Sequence, residues 1–108
     1  MAAGALTYLE NVSNEQIANA AALAMKNMLG LTCDPVAGLV EVPCIKRNVS
    51  GAVNAIISSQ MAMAGIKSAI PADEVFETMG RIGKLIPACL KETSLEVLAK
   101  APSALKNI

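Results

Sequence analysis

Histidine is absent from this 108-residue chain, tryptophan is absent too, and the aromatic side chains are Tyr8 and Phe76 alone. No histidine means no axial imidazole for haem and no histidine-bearing zinc finger. Nor is there a surplus of either charge, because nine basic residues balance nine acidic ones. The longest basic run is the pair Lys46-Arg47, and no aromatics are interleaved to stack on bases, so a nucleic-acid partner is not expected. Long apolar runs are missing as well. Asn19, Lys26, Asn54 and Gln60 interrupt the candidates well short of the 18 or so residues that a spanning helix needs. A membrane partner is therefore not expected. The opening residues, MAAGALTYLE, lack the positive start of a signal peptide. With three cysteines, an odd number, a reducing cytoplasm is the expected setting.

What is present is small and aliphatic. Hydrophobic residues make up 54% of the chain and charged ones 17%, with a mean hydropathy of +0.48. A core of Ala, Val, Ile, Leu and Met implies closely packed helices. So high an apolar fraction in a domain of this size implies that part of the surface meets other protein. Homo- or hetero-oligomers are expected.

Local signals predict an all-α fold of four to five packed helices, with a cysteine-bearing loop between the second and third. The Met1–Glu10 segment is apolar. Ser13 and Gln16 form a capping box that opens a helix from Asn14 to Leu29, with Ile17, Ala21, Ala24 and Met28 as its buried stripe and Gly30 as a left-handed cap. A loop, Leu31–Arg47, follows. The next helix runs from Asn48 to Ala64 with Ala52, Val53, Ile56, Gln60 and Met63 along one side, and Gly65 ends it. Pro71 opens another, with Asp73 and Glu74 at its positive end, Val75, Met79, Ile82 and Ile86 in helical period, and Pro87 as the stop. Thr93 and Glu96 suggest a short last helix over Ser94–Lys100, before Pro102 and a fraying tail. No segment alternates with the period of a strand, and there are no repeats.

The irregular stretch holds the chemistry. Cys33 and Cys44 stand eleven positions apart in a segment with two prolines. One reading is two thiols filling small gaps in a core. Loops of this composition, however, aim groups at ligands. Structural zinc takes four N or S ligands, and three cysteines without histidine fall short. A disulfide suits the expected compartment poorly. An iron–sulfur cluster held by thiolates remains, and with three cysteine ligands a [4Fe–4S] cluster keeps one iron open as a Lewis acid. Around the thiols, Thr32 offers a hydroxyl and Asp34 could orient a donor. Lys46 and Arg47 precede the Asn48 helix, where positive charge favours a carboxylate or, more plainly, sits in solvent.

From Gly30 to Asn48 the chain reads GLTCDPVAGLVEVPCIKRN and runs on into SGAVNAIISSQMAMAG. This resembles the signature G-L-T-C-D-P-V-x-G-x-V-x-V-P-C-I-x-R-N of the catalytic (alpha) region of the iron–sulfur-dependent L-serine dehydratases. The segments IPADEVFETM and LKETSLEVLA extend the likeness to nearly the whole chain. The resemblance implies conversion of L-serine to pyruvate and ammonia with a [4Fe–4S] cluster and no pyridoxal phosphate. Two of the family's three cysteine ligands match Cys33 and Cys44. The third belongs to a G-C-Q-A-E-V-G-like segment expected a short distance upstream of Met1. Cys89 is a stand-in, although the family pattern around IPACLKET has no ligand cysteine there. Thr32, Asp34, Arg47 and Asn48 are substrate-binding or supporting candidates, and no residue here is identified as the catalytic base.

The resemblance further implies that residues 1–108 are the C-terminal part of the alpha domain. Its partners would be L-serine, a missing N-terminal portion and a beta chain or domain that carries an S-H-T-type motif. A cysteine desulfidase-like lyase and a non-catalytic helical fragment are the competing readings.

Overall fold

Ser13 starts the second helix as its spacing predicts. In the computed structural model, which describes residues 1–91, 94–95 and 97–106, the Gln16 N–H donates to Ser13 Oγ at 3.3 Å. The Ser13 N–H returns the bond to Gln16 Oε1 at 3.2 Å, and this reciprocal cap contributes about 1 kcal/mol. Among the described residues there are five α-helices: α1 (Ala2–Leu9), α2 (Asn14–Lys26), α3 (Cys44–Met63), α4 (Ala72–Leu85) and α5 (Pro102–Lys106). Short 3-10 turns lie at Val36–Gly38, Ala88–Leu90 and Val97–Lys100. No strand occurs among the described residues, so the fold is all-α as expected.

Three boundaries differ from expectation. Helix α2 stops at Lys26 rather than Leu29, because the Met28 N–H reaches back to the Met25 carbonyl and tightens the turn. Gly30 still adopts the left-handed conformation expected of it, with φ 77°. Helix α3 begins at Cys44, four residues ahead of Asn48, with Pro43 at its N-cap. Cys44, Lys46 and Arg47 thus belong to its first turn and not to the loop. At the far end, Pro102 opens α5 instead of preceding a frayed tail, as a proline's missing N–H and fixed φ allow. Thr93 and Glu96, proposed to cap a helix over Ser94–Lys100, lie outside the described residues.

The end of α3 follows the sequence closely. The Gly65 N–H donates to the Ala62 carbonyl and the Ile66 N–H to the Met61 carbonyl. With Gly65 at φ 92°, this is a Schellman termination.

Helices α1, α2 and α3 touch one another, and α4 lies against α2. Ala3, Ala20, Ala55 and Ala62 form the core where the three meet, with Ala24 beside them. Small side chains let the helix backbones approach, and polar groups stitch the seams. Thr7 Oγ1 donates to the Ala3 carbonyl at 2.8 Å and shares a 2.8 Å bond with Ser59 Oγ across α1 and α3. Asn54 Nδ2 donates to the Ala24 carbonyl at 2.9 Å, joining α3 to α2.

Packing decides which side of α3 faces the core. Its buried face is Ala55, Ser58, Ser59 and Ala62, whereas Val53 and Ile56 are 48% and 49% exposed. The helix carries two stripes, and the smaller side chains win the close contact. Helix α2, gripped from several sides, buries Ala20, Ala22 and Leu23 most deeply, with Ile17, Ala21, Ala24 and Met28 half-buried.

The molecule is a slab of 50 × 26 × 15 Å. Its radius of gyration is 16.3 Å, against about 13 Å for a compact domain of this length. It exposes 7210 Å², where a folded monomer of its mass exposes roughly 5,700 Å². Ile45, Val49, Val53, Ile56 and Ile57 form an exposed aliphatic face along α3. The chain thus carries exposed apolar surface of the kind its composition implies.

Candidate functional site

The segment between α2 and α3 is held as a closed loop. The Val36 N–H donates to the Val42 carbonyl at 2.9 Å, which shuts its outer part. Ala37 and Gly38 take successive left-handed conformations at φ 56° and 73°. Glycine does so without cost, while alanine pays about 1 kcal/mol. Ser94 then ties the loop to the C-terminal region. Its hydroxyl donates to the Pro35 carbonyl at 2.5 Å and accepts from the Gly38 N–H at 2.8 Å.

The two cysteines stand at the inner ends of this loop. Both are half-buried free thiols. The Cys33 N–H donates to the Leu90 carbonyl at 3.0 Å, so its backbone runs beside the turn that carries Cys89. Cys44 is the first residue of α3. Arg47 and Asn48, three and four positions on, therefore share its face of the helix. Cys89 is likewise half-buried. Among the described residues no group of three or more His, Cys, Asp or Glu side chains is arranged to hold a metal ion.

Asp34 follows Cys33 directly and is fully buried. Its Oδ1 accepts from Arg47 Nη1 at 3.0 Å and from the Thr32 hydroxyl at 3.5 Å. Its Oδ2 accepts from the Leu98 N–H at 2.8 Å. Burial alone would push the carboxyl upward. The Leu98 N–H, together with the hydrogen bond and charge of Arg47, more than offsets that and holds Asp34 below its ordinary value of 3.8. It is therefore ionised at neutral pH.

The Arg47 side chain is 40% exposed. The nitrogen that binds Asp34 also donates to the Thr32 carbonyl at 2.9 Å.

Thr32, Asp34 and Arg47, singled out from the sequence as separate candidates, are thus one hydrogen-bonded unit. Asn48 lies exposed on the next turn of α3, and Lys46 is exposed as well. An apolar cleft of about 290 Å³ lies close by, lined by Val36, Val42, Leu98, Ala101, Ser103 and Ala104, and includes none of these candidates. Sequence reasoning missed Leu98 and Ser94. Leu98 acts through a backbone N–H 64 positions from Asp34, for which no sequence signal exists.

A family model described as the serine dehydratase alpha chain matches residues 1–99. The chain is 54% identical over 103 residues to a probable L-serine dehydratase, alpha chain, of Bacillus subtilis, covering 95% of this chain and 34% of that protein. It is 52% identical over 105 residues to the protein of the same description from Latilactobacillus sakei, covering 97% and 50% respectively. To the L-serine dehydratase, alpha chain, of Peptoniphilus asaccharolyticus it is 45% identical over 106 residues, covering 98% and 36%. The chain thus spans about a third to a half of the length of these relatives.

Proposed function

The chain belongs to the serine dehydratase alpha-chain family, and we propose that it forms the thiol-bearing part of an L-serine dehydratase, a lyase that converts L-serine to pyruvate and ammonia. The observation that carries this reading is its high identity, over nearly its whole length, to proteins named for that activity. The net reaction removes water across Cα–Cβ of serine, and the resulting aminoacrylate hydrolyses to pyruvate with release of ammonia.

The proposed cofactor is a [4Fe–4S] cluster, which supplies Lewis acidity. Cys33 and Cys44 are the donors of suitable chemistry here. Two thiols do not complete such a site, so the remaining ligands would come from elsewhere in the assembled enzyme, and no chemical step is derived through the cluster. What this chain contributes is placement. Its loop presents Cys33, α3 presents Cys44, and the exposed part of Arg47, with Asn48, offers donors to an anionic substrate such as serine's carboxylate. The catalytic base is assigned to no residue of this chain.

The proposed partners are the further polypeptide that the longer relatives carry and a companion beta chain, either of which would cover the aliphatic face of α3. No helix among the described residues is long and apolar enough to cross a membrane, and a cytoplasmic setting is proposed.

The test is anaerobic reconstitution with ferrous iron and sulfide, followed by pyruvate formation from L-serine. The chain would be assayed alone and with the complementary region of the Bacillus subtilis relative. Turnover is expected only in the complemented sample. Turnover of L-cysteine in place of L-serine, or no cluster and no activity after complementation, would reject the proposal.

A further inference from the structure

We propose that the Asp34–Arg47 pair is a clamp that sets the placement of Cys33 relative to Cys44, which makes both positioning residues. The proposal rests on the reading that these two thiols act together. It goes beyond that reading in naming what holds them.

The clamp is built from both sides of Cys33. One guanidinium nitrogen of Arg47 donates to the carbonyl of Thr32, the residue before the cysteine, at 2.9 Å. The same nitrogen donates to the carboxylate of Asp34, the residue after it, at 3.0 Å. Arg47 itself stands one helical turn beyond Cys44 on α3. Cys33 is thus bracketed by two bonds that end on the helix bearing the other thiol.

Other contacts do not serve this purpose. The Val36–Val42 bond closes the loop on itself, and the Cys33 N–H reaches the turn at Ala88–Leu90 rather than α3. Among the hydrogen bonds of the described residues, those from Arg47 to Asp34 and to the Thr32 carbonyl tie the Cys33 segment directly to the first turn of α3.

The third partner of Asp34 shows that the fold accepts strain to complete this arrangement. Leu98 delivers its N–H to Oδ2 from just beyond Val97, which holds a left-handed φ of 59°. A β-branched residue rarely adopts that conformation, and it costs roughly 1–2 kcal/mol. Such strain persists where surrounding interactions over-determine it. With both oxygens engaged, the carboxylate has little freedom to turn, and so it fixes the direction from which Arg47 must approach.

The test measures the thiol pair itself. In the full 108-residue chain carrying Cys89→Ser, nitroxide labels on Cys33 and Cys44 report a distance distribution by double electron–electron resonance, with no iron and no serine present. The parent is expected to give a single narrow distribution. Asp34→Asn and Arg47→Lys are expected to broaden or split it while helical circular dichroism is retained. Thr7→Val, which breaks the buried Thr7–Ser59 bond remote from the loop, serves as the stability control and should leave the distribution narrow despite a lowered melting temperature.

A parent distribution that is already broad would overturn the clamp. So would clamp variants as narrow as the parent, or equal broadening by Thr7→Val. Because neither cluster nor turnover enters the measurement, failure here is distinguishable from failure of the dehydratase assignment.

Discussion

Replacing Asp34 by Asn keeps the side chain's size and removes its charge, so the cost can be worked from its three contacts. The Leu98 N–H bond at 2.8 Å and the Arg47 bond at 3.0 Å are charge-assisted in the parent. Hydrogen bonds to charged groups contribute about 1.5–3 kcal/mol each when sheltered. The Arg47 side chain is 40% exposed, so water recovers much of what the guanidinium loses, and its share falls to about 1 kcal/mol or less. The Leu98 bond lies against a fully buried carboxylate and keeps its full value. An amide oxygen still accepts one bond, but its NH2 group then faces a donor. The net loss is expected to be about 2–3 kcal/mol.

For a chain of this length that lowers the melting temperature by roughly 10 °C or more, readable by circular dichroism at 222 nm. The loss should also depend on pH. Asp34 is held below its ordinary value of 3.8 in the folded chain. Its ionised form therefore stabilises the fold fully above that unfolded value, and the contribution fades as pH falls through the lower folded value. Parent and variant should differ most at neutral pH and converge under acid. A neutral-pH difference under about 0.5 kcal/mol, the range of an ordinary surface substitution, would refute the reasoning. A gap that widens on acidification would refute the sign.

Thr7→Val is expected to cost about 1–3 kcal/mol in urea unfolding, because Ser59 keeps a buried hydroxyl without its Thr7 partner. Gly65→Ala should cost about 1 kcal/mol in the same assay. Nothing lies within 4 Å of an added Cβ, so the whole penalty comes from the backbone at φ 92°. Val53→Lys with Ile56→Lys should reduce self-association of the isolated chain in sedimentation velocity while leaving its helicity intact, since both side chains are already half exposed. Loss of the fold in that double variant would show that the face is internal after all.

Signals that act over a few residues were legible in the sequence alone. The Ser13–Gln16 box, the Gly65 termination, the proline ahead of α4 and the aliphatic periodicity named the helices, because each depends on hydrogen bonds and φ preferences within one or two turns. The stretch from Gly30 to Asn48 likewise named the family and the two thiols. Where α3 begins was less legible, since Pro43 can end a loop or cap a helix equally well.

Which stripe of α3 is buried was settled only by packing. Alanine and serine at 55, 58, 59 and 62 allow α1 and α2 to approach closely, and the larger Val53 and Ile56 are left outside. The same holds for the centre of the loop. Composition marked Thr32, Asp34 and Arg47 as polar candidates around two cysteines. Only the tertiary fold joined all three, because two of the three partners of the Asp34 carboxylate come from α3 and from a backbone N–H 64 positions away. A buried charge must find its partners wherever the folded chain brings them, and no local rule specifies that.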